Sequence, residues 1–546
     1  MKFDFTGNNL TGLDAKLQRV FEILPGLTSW TIILGMSFLA IFKPFVAAII
    51  IIAFYLYWLL KLLYLTLFLI LSYARLSIED KTDWMARIRG IDDIPRYMEE
   101  LKRPREEGDI KRKLSNLFHR KELEAFIVSG GEKPPSEDIF HLVIIPVAKE
   151  PREVIEPGIK GLAEGVYPAK KLVVILALEE RASETIKKDT EAVCETYKGS
   201  FHDMFIVVHP DGVAGEAKAK GANASFAAKE AAEYFKARNI PYENVISSCF
   251  DSDTVIKKDY FAALTYYFLI CPNRERASFQ PVPVYNNNIW DAPGITRVLE
   301  TGSSFFQLVE ATNPTTLVTF SSHSMSFKAL VDVGYWPRDM ISDDSAIFWK
   351  AFLHFDGDYR VVPMYTTLSM DAVVADGWWQ TVVNVYKQKR RWAWGVENFP
   401  IVMRGFLKDR KISFFSKVKV GFKLFEGHIS WTTWAFLLTI IGWLPAIFAT
   451  KDFSHSVFYY TAPRITGTVF HLASFSLITS IVLSLLLLPK SKISHPILKR
   501  IGFALQWVLI PLTIVFLSAL PALDAQTRLM MGRYMTFWVT DKSRKQ

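Results

Sequence analysis

The sequence predicts a mostly parallel α/β domain inserted between α-helical membrane segments. Two observations carry this. Between about Pro134 and Pro400, short β-rich runs alternate with helical stretches, the pattern of a parallel sheet with crossover helices. On either side lie apolar runs long enough to cross a bilayer, and 50% of the 546 residues are hydrophobic.

On the N-terminal side, Leu27 to Leu71 is apolar apart from Lys43 and Lys61 and is too long for one ordinary span, so two helices are expected, turning near Lys43-Pro44. No short apolar core followed by small residues precedes them, which argues against a cleaved signal peptide. On the C-terminal side, Ile429 to Thr450, Thr466 to Leu488 and Ile501 to Pro521 are charge-free apolar runs. The resulting division is an N-terminal tail (1–26), two transmembrane helices (27–74), a charged juxtamembrane segment (75–133) punctuated by Pro95 and Pro104, the α/β domain (134–398), interfacial amphipathic helices (399–428), three transmembrane helices (429–523) and a basic tail (524–546). Five spans with a cytoplasmic domain would leave that tail outside, whereas its basic residues favour the inside. One apolar run is then interfacial or re-entrant, or the tail is an exception.

The net charge of +9 is accounted for by basic membrane flanks such as "KDRKISFFSKVKVGFK", so no nucleic-acid partner is expected. Three cysteines without metal-ligand spacing suit a reducing compartment.

Within the domain, "HLVIIPVA", "KLVVILAL", "MFIVVHP" and "VISSCFDSD" are the expected strands, and the Ala- and Lys-rich run "AGEAKAKGANASFAAKEAAEYFKAR" an expected crossover helix. Function in such a sheet gathers at the carboxyl ends of its strands. Asp251-Ser252-Asp253 ends the fourth strand; two close carboxylates there repel unless a hard cation joins them, although a lone DxD is more often a turn that caps a helix. Ser342-Asp343-Asp344 precedes an apolar-periodic helix; taken alone it is better explained by capping, although a carboxylate there near a second acidic motif also suits a general base. In "QKRRW", Gln388, Arg391 and Trp392 share one helix face and offer amide groups, a planar guanidinium fork and a flat indole. Taken alone, the motif is better read as a basic and aromatic belt at a membrane surface, and Lys387, Lys389 and Arg390 fit that belt. Glu150, which closes "PVAKE", and Glu179-Glu180 end the first two strands. Lys220 and Asn223 stand either near a nucleotide or on a solvated helix face.

The order of these pieces resembles the membrane-embedded family 2 glycosyltransferases, which include cellulose, chitin and hyaluronan synthases. Their pattern of P-x-x-x-E, D-x-D, T-E-D and Q-x-x-R-W between apolar helices reads here "PVAKE", "DSD", "SDD" and "QKRRW", within Leu27 to Pro521. The resemblance implies a Rossmann-like GT-A domain and an inverting transfer from a nucleoside-diphosphate sugar, such as a UDP-sugar, to a glycan or lipid-linked acceptor. It places Glu150, Glu179 and Glu180 at the base and ribose, with Lys220 and Asn223 beside them. Asp251 would approach the donor, Asp253 with Asp251 would hold Mg²⁺ or Mn²⁺, and Asp344, flanked by Asp343, would be the base. Gln388, Arg391 and Trp392 would form the wall where diphosphate and acceptor meet. The implied setting is a multi-pass protein of the cell membrane with its catalytic domain cytoplasmic. "SDD" for T-E-D keeps an acid in the middle, while "FSSHSMSF" (320–327) and the asparagines of "PVPVYNNNIWD" (281–291) depart from the pattern on the acceptor side. Trp431, Trp434 and Trp443 would line a sugar channel or anchor the helix at an interface. A non-enzymatic transport or scaffold protein is the reading from another class; it gives no reason to keep Asp251, Asp253 and Asp344 together.

Overall fold

The computed structural model describes residues 3–102, 110–489 and 496–538. Two long apolar helices come first, α1 (Gly12–Phe42) and α2 (Pro44–Glu79), breaking at Lys43 as expected because Pro44 lacks the N–H that a continuing helix requires. Three shorter helices follow, α3 (Trp84–Ile91), α4 (Ile94–Lys102) and α5 (Ile110–Val128).

An eight-stranded sheet forms the next unit, with strand order β3-β2-β1-β4-β7-β6-β8-β5. The first four strands, β1 (Phe140–Val147), β2 (Leu172–Glu179), β3 (Asp203–His209) and β4 (Val245–Cys249), are the four expected, and they pair in parallel. Their nearly unbroken apolar character fits strands covered on both faces. The remaining four are β5 (Val255–Ile256), β6 (Ala277–Val284), β7 (Ser324–Ser326) and β8 (Arg360–Ser369); β7 pairs antiparallel with β4 and β6, and β6 with β8 in parallel.

Helices cover both faces. α6 (Arg152–Ala163), α7 (Glu184–Tyr197) and α9 (Tyr260–Leu269) pack on one, and on the other lies α8 (Lys220–Ala237), whose buried Ala224, Ala227, Ala228 and Ala231 let it approach the strands closely. α10 (Gly294–Glu310) follows β6, while α11 (Phe327–Asp332) and α12 (Asp343–His354) lie between β7 and β8. After β8 come α13 (Trp378–Ala393), α14 (Asn398–Lys408) and α15 (Phe414–Thr439). Gly377 starts α13 with φ +114°, a backbone angle that side chains disfavour.

The α/β domain is thus inserted between apolar helices. Among the described residues four helical stretches are long and apolar enough to cross a membrane: Gly12–Phe42, Pro44–Glu79, Tyr459–Leu487 and Ile501–Met530. The pair Phe414–Thr439 and Ile441–Ile447 passes the same test only jointly and bends by 43°, the geometry of a broken span or a re-entrant loop.

Several element ends differ from expectation. α1 begins inside the supposed tail, at Gly12, and buries Gln18, Glu22, Pro25, Gly26 and Ser29 on one face at helical spacing. The 75–133 segment belongs to the domain: Trp84, Ile88, Ile91, Leu123 and Phe126 share one core with β1 and α9. The end of α2 is tied there by Arg75 to Glu79 (3.0 Å) and Glu122 (2.7 Å) and by Arg87 to Glu79 (3.3 Å). Pro104 lies outside the described residues, as does the tail from 539 on. α15 runs through the 428/429 boundary in one helix, since no breaker separates its charged and apolar halves. The last helical stretch reaches Met530, where Arg19 accepts the role of cap by donating to the Leu529 carbonyl (2.9 Å).

Candidate functional site

The carboxyl end of β4 delivers Asp251 beside the N-terminus of α8, and the N-terminus of α12 meets them from below. Lys220, the first residue of α8, donates to Asp251 Oδ1 (2.7 Å) and to Asp344 Oδ1 (2.8 Å). Its side chain is 11% exposed, those of Asp251 and Asp344 25% and 26%. Burial alone would strip the proton from this amine, but the two carboxylates hold it charged well above the usual lysine range. DSD and SDD are therefore joined by one cation rather than serving two separate turns. No helix follows DSD, so its aspartates cap none; Ser342 stands at the N-cap of α12 but makes no capping bond and instead donates to Glu397.

Asp343 is buried at the start of α12, and burial together with the neighbouring Asp344 pushes its carboxyl up to about 8. Its Oδ2 has no hydrogen-bond partner among the described residues. Gly221 permits this approach: a Cβ there would stand 2.6 Å from the Pro337 carbonyl oxygen and 2.8 Å from Asp343 Cβ.

Asp253 is fully buried, and its Oδ2 accepts from the Asp371 backbone N–H (2.9 Å). Asn287 spans the two acids, its Nδ2 donating to the Asp253 carbonyl oxygen and to Asp371 Oδ1 (2.9 Å each). Asn288 locks the same strand end through Ala372. The asparagines that depart from the family pattern thus hold DSD against the end of β8. The serines of "FSSHSMSF" do the same for Asp251: Ser321 Oγ donates to its Oδ2, and its N–H donates to Ser322 Oγ (3.2 Å). Ser322 sits at φ +59°, a left-handed conformation rare outside glycine, and such strain collects at functional sites. His323, held near neutral by burial with its pKa lowered to about 4, has Nδ1 4.0 Å from Asp344 Oδ1.

α13 contributes the third wall. Gln388 is buried, and its Oε1 lacks a partner among the described residues. Arg391 lies 4.9 Å from the Phe537 ring centroid, so the C-terminal stretch passes over the guanidinium. Trp392 packs on Tyr285 (5.7 Å) and edge-on to Phe320 (5.6 Å). The basic-belt reading fails for Lys389 and Arg390, which turn inward: Lys389 pairs with buried Glu300 (3.0 Å) and Arg390 with Asp524 (2.8 Å). Lys387 faces the Trp538 ring at 5.1 Å.

The first three acids stand apart from this cluster. Glu150 folds back to accept from the Ala148 and Lys149 N–H groups. Glu179 pairs with Arg181 (3.3 Å) and lies 3.6 Å from His209, while Glu180 accepts from Asp211 N–H. Asn223 is buried and donates to the Ala177 carbonyl of β2, so it supports the sheet and does not point into the groove. A cavity of about 340 Å³ runs from Arg181 and Lys218 past Ile341 and Glu397 to Phe537.

Sequence reasoning missed Asp371 and Glu397, and it set the segments of Ser321 and Asn287 on the acceptor side, whereas both residues hold DSD. Asp371 follows β8, so the rule of strand carboxyl ends would have found it had that strand been recognised. Glu397 carries no local signal. It accepts from Ile341 N–H, Ser342 N–H, Ser342 Oγ and Trp394 Nε1 (2.6 to 3.2 Å), and so fastens the SDD turn to the end of α13.

The model of glycosyl transferase family group 2 matches residues 248–520, from the strand bearing DSD to the last apolar helix and half of the chain. The chain belongs to glycosyl transferase family group 2. Relatives in this group include a poly-beta-1,6-N-acetyl-D-glucosamine synthase of Staphylococcus epidermidis, 28% identical over 152 residues, which are 27% of this chain and 31% of that protein. The synthase of the same name from Staphylococcus aureus strain COL is 39% identical over 83 residues, 15% of this chain and 18% of its own. The match spans about a third or less of these relatives' length. Among solved structures, the mannosyltransferase PcManGT from Pyrobaculum calidifontis, in complex with GDP-Man and Mn²⁺, superposes at TM-score 0.36 and 15% identity over 72% of this chain and 94% of that one. S. aureus TarS 1–349 in complex with UDP gives 0.35 and 11% over 63% and 90%.

Proposed function

We propose that this family 2 chain is an integral-membrane, inverting glycosyltransferase that moves a sugar from a UDP-sugar to a hydroxyl of a growing polysaccharide and exports the product through its apolar helices. The observation that carries the reading is the Lys220 bridge, which gathers the acids of DSD and SDD into one cluster beside the helix of Arg391 and Trp392. The name of the staphylococcal relatives makes UDP-N-acetylglucosamine the first donor to try. A cytoplasmic domain in the cell membrane suits a nucleotide-sugar substrate.

In this mechanism Asp344 accepts the proton of the acceptor hydroxyl as its oxygen bonds to the anomeric carbon. The bond from that carbon to the diphosphate oxygen breaks, the diphosphate leaves with the electron pair, and the configuration inverts. Burial and the neighbouring Asp344 favour the neutral acid at Asp343, which lessens the negative charge beside the base. Arg391 faces the departing diphosphate, and Trp392 offers its ring to the sugar. Glu150, Glu179 and Glu180 border the nucleoside end.

The acids fit a divalent ion only in part: Asp251, a quarter exposed, has its oxygens on Lys220 and Ser321, Asp253 is fully buried against Asp371, and among the described residues no three His, Cys, Asp or Glu side chains converge, so Asp251 and Asp253 would hold an ion only once Lys220 gives way. The ion expected there is Mg²⁺ or Mn²⁺, whose remaining ligands would come from phosphate oxygens. When bound, the ion would offset charge on the leaving diphosphate.

The test is release of nucleoside diphosphate from a panel of sugar nucleotides by the purified full chain with Mg²⁺ or Mn²⁺, beside Asp344→Asn. We expect metal-dependent release with one donor and a loss of roughly 10²-fold in the variant with donor binding retained. An equal rate in the variant removes Asp344 from the role. Sizing the product separates a polymer from a single transfer to a lipid-linked acceptor.

A further inference from the structure

The face of Trp392 turned to Lys389 is occupied. Lys389, three residues earlier on α13, places its ammonium 3.7 Å from the indole centroid. The same nitrogen bonds Glu300 Oε2 (3.0 Å) and Ser303 Oγ (2.9 Å) of α10. This pair lies deep in the protein, with side-chain exposures of 4% and 1%, and Glu300 Oε1 has no hydrogen-bond partner among the described residues. Burial lowers the lysine's proton affinity and Glu300 opposes that loss.

A buried ion pair is a poor way to hold two helices together, because desolvation offsets most of its attraction and an apolar pair of the same volume would serve as well or better. An apolar pair would not, however, set a positive charge against the electron-rich face of an indole. The other neighbours of the ring also restrain it, since Tyr285 is tilted against it at 39° and Phe320 meets it edge-on at 84°. α10 in turn packs Phe305 and Leu308 against Leu69 and Leu76 of α2 and against Trp507. The indole is thereby referenced, through Lys389 and Glu300, to the helix that joins the α/β domain to the apolar helices.

We propose that the Lys389–Glu300 pair is a positioning device for Trp392: it occupies one face of the indole and, with Tyr285 and Phe320, fixes the orientation in which the ring meets the sugar of the acceptor. This rests on the reading of Trp392 as a sugar-facing residue. Neither Lys389 nor Glu300 touches the reacting atoms.

The experiment uses the full chain with Lys389→Met, Lys389→Arg, Glu300→Gln and the apolar double variant Glu300→Leu/Lys389→Met. Three readouts are followed: the ¹⁹F resonance of Trp392 in 5-fluorotryptophan-labelled protein, assigned with Trp392→Phe; the apparent KM for N-acetylglucosamine oligosaccharides as acceptor; and the Kd for UDP. Lys389→Met should shift and broaden the Trp392 resonance and raise the acceptor KM about tenfold, with the Kd for UDP within twofold. Lys389→Arg, which keeps a cation over the ring, should stay near wild type. The double variant should recover thermal stability but keep the raised KM. Recovery of both stability and KM in the double variant would show the pair to be structural only and overturn the proposal. If the wild type transfers no sugar from any donor, the glycosyltransferase reading fails by itself. The ¹⁹F signal still decides the restraint on the ring, and an unchanged resonance in Lys389→Met overturns it.

Discussion

Replacing Lys220 by Met keeps the length of the side chain and removes the charge that joins DSD to SDD. Asp251 Oδ1 and Asp344 Oδ1 both lie within hydrogen-bond distance of the same nitrogen, so they are at most about 5.5 Å apart. At an effective dielectric of about 20, two unit charges at that separation repel by about 3 kcal/mol. Exposure of about a quarter for each carboxylate does not screen this away. The repulsion can be relieved in one of two ways. If the carboxylates stay in place, one of them takes up a proton more readily, and the acidic limb of the pH–rate profile moves up by about 2 pH units. If they move apart, the turn at Ser342 is pulled from its seat and the melting temperature falls. Initial rates of nucleoside diphosphate release between pH 5 and 9, beside thermal unfolding in the same detergent, separate the two outcomes. A Lys220→Met variant with the wild-type acidic limb and the wild-type Tm would refute the argument, because it would show that the two acids do not share a charge partner in solution.

Three further perturbations test other parts of the site. Gly221→Ala puts a methyl against the Pro337 carbonyl and Asp343 Cβ, and should cost about 1–3 kcal/mol of stability, read as a lower Tm, with turnover reduced as Asp343 shifts. Asn287→Leu removes the amide that clips Asp253 to Asp371; the gain in UDP affinity on adding Mn²⁺, measured by calorimetry, should shrink about tenfold, and an unchanged metal effect would show that the clip does not position Asp253. The third concerns pH. Asp343 stays protonated in the folded chain to about 8, and Glu397, buried among its donors, to about 7, whereas both ionise in the ordinary carboxylate range once unfolded. The folded state therefore binds more protons, and the stability these groups contribute is full below about pH 4 and is lost as pH rises through about 7 to 8. Tm should fall between pH 6 and 9, with a shallower slope in Asp343→Asn; a slope equal to wild type would mean that Asp343 is ionised in the fold.

The parallel half of the sheet was legible because each of β1 to β4 is an apolar run ending in polar residues, and a strand buried on both faces leaves no other pattern. The other half was not. β5 has two residues and β7 three, too short for any periodicity, and β6 contains Pro281 and Pro283, which read as loop. The α3–α5 layer was hidden for a different reason. Its helices bury only a narrow stripe, such as Ser115, His119, Leu123 and Phe126 on α5, and offer charge to the solvent on the remaining faces, so composition alone resembles a linker.

The site shows the same division on a finer scale. Motif order singled out Asp251 and Asp344, which Lys220 joins, and Gln388, Arg391 and Trp392 on the C-terminal half of α13. What surrounds them depends on long-range pairing that no local pattern encodes. Glu397 reaches back 55 residues to the backbone of Ser342, and Lys389 reaches 89 to Glu300. A glutamate after a tryptophan-rich stretch and a lysine among arginines both look like surface residues until the fold removes them from water. Once they are buried, their polar atoms have to be satisfied, and the partners are the turn that carries Asp343 and Asp344 and the helix behind Trp392. The residues that read as background in the sequence are thus the ones that set the positions of those that read as signal, which is why the pH dependence of the Asp343 and Glu397 carboxyls should report on the state of the SDD turn itself.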